Sequence, residues 1–154
     1  MLLLLTKLLF AYESKDFNYL GHWQTKPRKV VICSDLKIDR YIVEESIDFW
    51  QDSGIITNHV EIVNDVCDTD FIKGTIIITS QKIFDVKKYY AMTYHDKDGF
   101  KINASRVEID PKENQNLILM IHEIGHAFGI DHSSNHHDDH IMYYMVLETP
   151  TRMD

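Results

Sequence analysis

At 154 residues, with 44% hydrophobic and 26% charged side chains, the chain closes one hydrophobic core and has no room for two. Aromatic residues at 11% exclude a disordered chain, and 6 Gly with 3 Pro exclude collagen-like or linker-like sequence. A formal charge of −8, from 24 acidic against 16 basic residues, argues against nucleic acid or an anionic membrane as main partner, because phosphate contacts need clustered Lys and Arg.

Met1–Tyr12 is like a signal peptide only in part: Lys7 interrupts the apolar run, no basic residue precedes it, and no small-x-small site follows. The run is well short of the ~20 residues that cross a bilayer, so no membrane span is expected. The leucines of segment 1–25 are expected to pack on a single domain spanning 1–154. Cys33 and Cys67 fit one bridge in an oxidising compartment or two buried thiols acting as small hydrophobes, and the second is the expectation.

Lys29-Val-Val-Ile-Cys33 reads as a buried strand after Pro27. Asp39 is placed to cap a helix over about 40–51, with Ile42, Val43, Ile47, Phe49 and Trp50 apolar and Glu44, Glu45 and Asp48 wet. Gly54 ends it. His59–Val63 alternates like a second strand, and Gly74–Thr79 is a continuous run buried on both faces. Two extended pieces, Ala91–Tyr94 and Lys101–Ile109, are joined through the turn chemistry of Asp96-Lys-Asp-Gly99. Asp96 and Asp98 also offer oxygens to calcium, but a glycine beside two carboxylates reads first as a turn. The longest helical stretch runs from about Glu113 to Phe128, apolar on nearly all faces and stopped by Gly129. The order favours an α/β (α+β) domain, a mixed sheet with helices packed on it.

Six of the 9 histidines fall between His122 and His140. His122 and His126, four apart on the buried helix, project from one face, where two imidazoles can share one Zn²⁺. Glu123 stands about 100° round from His122, within reach of a water rather than of the metal. Gly129 lets the backbone turn so that His132 completes a three-histidine set with one position open, the mark of a catalytic zinc. Two imidazoles and a carboxylate buried in an apolar helix are costly without a partner, and a metal is the natural one.

His122-Glu-x-x-His126-x-x-Gly129-x-x-His132 resembles the metzincin zinc signature, and Ile141-Met142-Tyr143 is similar to that family's methionine turn. Ser133, directly after the third histidine, is similar to the matrixin branch, the matrix metalloproteinase catalytic domain. The specific part spans Ile121 to Tyr144; upstream, only the order of elements is similar. The resemblance implies a mostly parallel, five-stranded twisted sheet, one catalytic Zn²⁺ on His122, His126 and His132, and Glu123 as general base and then general acid. It implies Met142 as the floor under the metal. Ala91, Met92, Thr93 and Tyr94 would be the antiparallel edge strand on which an extended peptide substrate lies.

The chain also departs from that pattern. Tyr143-Tyr144 stands where matrixins continue Tyr-Pro, and a tyrosine two places after the methionine is similar to astacins. Tyr144 is therefore a candidate oxyanion donor, with Tyr143 and Tyr144 otherwise walls of the pocket. The closing C-terminal helix is expected to be short or absent, a cysteine-switch propeptide is not expected, and structural Ca²⁺ has no recognisable loop ligands. The resemblance favours a secreted or extracytoplasmic setting and leaves oligomeric state open. The expected activity is that of a zinc endopeptidase. Its rivals are a zinc-stapled binding or assembly module with little turnover, and a metal-sequestering protein using His136, His137 and His140.

Overall fold

The computed structural model describes residues 17–81, 90–133 and 140–142. Among these, six strands and two helices run in the order β1 (His22–Trp23), β2 (Lys29–Cys33), α1 (Arg40–Asp52), β3 (Glu61–Asp65), β4 (Thr75–Ser80), β5 (Ala91–Asp98), β6 (Lys101–Ile109) and α2 (Leu117–Ala127). A 3-10 turn at Pro111–Glu113 precedes α2.

The β-branched runs take the middle of the sheet because only there are both faces covered. Parallel β2 and β4 set Val30 beside Ile76 and Ile32 beside Ile78, and all four are buried with the helices. Val31 and Ile77 point to the other face and are buried too, so the apolar runs are used on both sides. Parallel β3 flanks β2, and β6 runs parallel to β4. Antiparallel β5 lies along the whole of β6, and β1 pairs with the start of β6, Trp23 beside Ile102. The mostly parallel sheet therefore carries one strand more than the five expected. The extra one is a two-residue pair too short to show in the sequence pattern.

Asp39 caps α1 by accepting the Tyr41 N–H, and Gly54 follows it at φ +74°, where a side chain would be strained. The buried face of α1, with Val43, Ile47 and Trp50, packs on the same side of the sheet as Leu119, Met120 and Ile124 of α2. Each such side chain contributes about 1.5–3 kcal/mol when taken from water.

Several expectations are corrected. Cys33 and Cys67 are bridged and are not free thiols, with Cα atoms 5.3 Å apart. Pairing Cys33 with Asp65 across β2 and β3 delivers Cys67 alongside, a consequence of register that composition does not show. The second strand starts at Glu61, two residues later than expected. Helix α2 starts at Leu117, because Asn116 spends its side chain on the Leu119 N–H at 3.1 Å. Asp96 and Asp98 lie within β5, leaving Gly99 and Phe100 as the turn, with Gly99 at φ +59°. Most of segment 1–25 and the chain end after Met142 lie outside the described residues, as do the expectations placed on them.

Candidate metal centre and catalytic site

Helix α2 has eleven residues, marginal as an isolated helix, so its place is set by what it packs against. Trp50 of α1 donates its indole N–H to the Ile121 carbonyl at 2.8 Å. A Cβ on Gly125 would sit 2.6 Å from the Trp50 ring and 2.8 Å from Met142 Sδ, so Gly125 is the position where both meet the helix. Gly129 has φ +99°, and a Cβ there would lie 2.5 Å from the Gly21 carbonyl oxygen. The turn that brings His132 back toward the helix thus needs glycine twice over, for conformation and for space.

His122 and His126 are buried, and their Nδ1 atoms lie 2.7 Å from the carbonyl oxygens of Ile141 and Ile130. A carbonyl only accepts, so each Nδ1 carries the proton and each Nε2 keeps its lone pair. His126 Nε2 is 3.1 Å from His132 Nε2, and the ligand atoms of the three histidines lie within 4.8 Å of one another. Burial is the main cause that pushes His122 down to about 3 and His126 to about 4, and it lowers the exposed-side His132 as well. All three are therefore neutral donors at pH 7. Lone pairs this close repel unless a cation stands between them, and two ligands of one tetrahedral zinc would be about 3.3 Å apart. The donor set fits zinc. Among the described residues it is the one such group of three.

Glu123 is also buried, and burial raises its carboxyl to about 7 although a hydrogen bond from Thr93 pulls the other way. Thr93 Oγ1 donates to Glu123 Oε2 at 2.6 Å and lies 3.2 Å from the Glu123 carbonyl. Met142 is fully buried against Gly125. Its carbonyl accepts from the Ser133 N–H at 3.0 Å, and its own N–H donates to His140 Nδ1 at 3.1 Å. Residues 140–142 therefore hold both His122, through Ile141, and the segment just after His132.

The structure brings together His122, His126 and His132, with Glu123, Thr93 and Met142 around them. Ala91 and Thr93 face the helices, whereas Tyr94 faces away, its ring 4.9 Å from the Arg106 guanidinium carbon. No described strand pairs with the second edge of β5. His140, expected in a solvated polar loop and named with His136 and His137 only in the rival metal-sequestering reading, is not solvated. It is buried against the Phe17 ring at 5.6 Å and spends Nδ1 on the methionine turn. His136, His137, Tyr143 and Tyr144 lie outside the described residues. Sequence reasoning missed the Thr93 hydroxyl, Gly125 and the Trp50 indole. Glycine inside an otherwise apolar helix was the available signal for the second.

A mostly parallel sheet with one antiparallel edge strand, set over a helix that bears His122, His126 and the buried Glu123, with His132 returned to them by the turn after it, defines a metalloprotease type of domain. The matrixin family model matches residues 40–153, and the chain belongs to the matrixin family, whose members are metalloproteases. Comparison with curated proteins gives no match.

Proposed function

We propose that the protein is a zinc-dependent endopeptidase that hydrolyses peptide bonds in extended polypeptide segments. The observation that carries this reading is the buried Glu123 carboxylate beside a convergent set of neutral imidazoles. His122, His126 and His132 would hold the metal, and the chemistry a bound zinc supplies is Lewis acidity toward a carbonyl oxygen and toward water. Glu123 takes a proton from the attacking water as oxygen bonds to the scissile carbon, then gives it to the amine nitrogen as the C–N bond breaks. Burial, which favours the protonated carboxyl, helps Glu123 hold the proton between the two transfers. The outer edge of β5, which no described strand takes up, offers main-chain groups to an extended substrate, added as one more strand.

Met142 serves as the floor of the site, a role supported by its burial between Gly125 and the ligand-bearing segments. The Cys33–Cys67 bridge supports a secreted or extracytoplasmic place of action, since such bonds persist in oxidising compartments.

The test is Glu123→Gln, which keeps the shape of the side chain and removes the base. The variant is expected to retain one zinc per chain and to lose peptide hydrolysis by roughly a hundredfold or more. Unchanged hydrolysis would contradict the mechanism. A zinc-loaded wild type that cleaves nothing would favour the zinc-stapled binding module.

A further inference from the structure

We infer that Thr93 is a positioning residue for Glu123: its hydroxyl pins Oε2 and leaves Oε1 as the oxygen that handles the proton. This rests on the hydrolytic reading above and adds to it the residue that aims the base.

The hydroxyl has one proton to give. At 2.6 Å its contact with Oε2 has the length of a charge-assisted O–H···O⁻ bond, while the Glu123 carbonyl at 3.2 Å is the weaker second acceptor. A glutamate reaches its carboxylate through three rotatable bonds, so a base on α2 is aimed only if something outside the helix holds it. Thr93 suits that task. It is β-branched and stiff at χ1, and it sits opposite Val107 in the antiparallel ladder that fixes β5 to β6. Two positions further along the same face, His95 Nδ1 lies 2.8 Å from Ser105 Oγ, and that hydroxyl donates to the Ala127 carbonyl at 3.0 Å. The inner face of β5 is therefore tied to α2 on both sides of His126, and the strand cannot shift without moving the base. One strand thereby both offers its outer edge to a peptide and sets the oxygen that acts on it, which couples seating of the substrate to alignment of Glu123.

The experiment compares Thr93→Val and Thr93→Ser as zinc-loaded full chains on a peptide that the wild type cleaves. Losing a hydrogen bond to a carboxylate is expected to lower kcat about ten- to a hundredfold in Thr93→Val. KM should stay within about twofold, because the main chain that seats the peptide is kept. Thr93→Ser restores the hydroxyl and should recover most of kcat. Zinc content and thermal midpoint identify a variant that has lost its fold, in which case Thr93→Ala takes the place of Thr93→Val. A crystal structure of the folded variant should show the Glu123 carboxylate turned from its present position, a readout that needs no turnover. Retained kcat in Thr93→Val, equal losses in the Val and Ser variants, or an unmoved Glu123 would each overturn the inference. A wild type without cleavage would overturn the hydrolytic reading, and the position of Glu123 in the variant crystal would still decide whether Thr93 holds it.

Discussion

His95 shows what burial costs a titratable side chain beside the site. Ser105 gives its proton to the Ala127 carbonyl, so its oxygen accepts from His95 Nδ1–H, and Nε2 has no hydrogen-bond partner among the described residues. Burial, helped by Lys97, draws this imidazole down from 6.5 to about 4. Between those values the unfolded chain binds more protons than the folded one, so stability rises with pH and falls as pH drops through the window. Urea midpoints across the window should therefore fall more steeply in the wild type than in His95→Asn, whose amide keeps a donor toward Ser105. Parallel slopes would contradict a neutral, part-buried His95. Residues such as this were silent in the sequence, because a lone histidine in a strand carries no sign of what it will meet across the ladder. Thr93 is the same case: its place on the edge strand was legible, but its bond to a residue 30 positions away was not.

At the scale of elements, the convergence of the three histidines was readable because their geometry is local. A helical turn sets His122 against His126, and a tight turn at Gly129 returns His132, so spacing alone carries the arrangement. The start of the same helix was misjudged by four residues, since Asn114 and Asn116 are polar and adjacent to an apolar run yet serve as lead-in and cap. Gly125 joins local and distant requirements. Its missing Cβ admits both the Trp50 ring and Met142 Sδ, so Gly125→Ala should overpack that junction and cost about 1–3 kcal/mol in denaturant titration. Because the junction connects α1, α2 and residues 140–142, the same variant should also bind zinc more weakly. A fully stable variant with unchanged zinc affinity would show that the contact relaxes freely and does not shape the site.

Across the whole molecule, a parallel sheet buried on both faces supports one antiparallel strand whose outer edge no described strand takes up. The order of the parallel strands and the Cys33–Cys67 bridge depend on pairings between residues far apart in the chain, such as Ile76 with Ser105 and Lys29 with Glu61, which is why period and composition found the longer strands but misjudged the thiols. The outer edge of β5, Glu123 bonded to that strand and the convergent imidazoles all support the proposed hydrolysis of an extended peptide. Digestion of a proteome-derived peptide library by the purified chain, with and without a zinc chelator, tests that claim most directly. The account predicts cleavage inside the peptides, abolished by the chelator and restored by added zinc. No cleavage by fully zinc-loaded protein, or cleavage indifferent to the chelator, would contradict it.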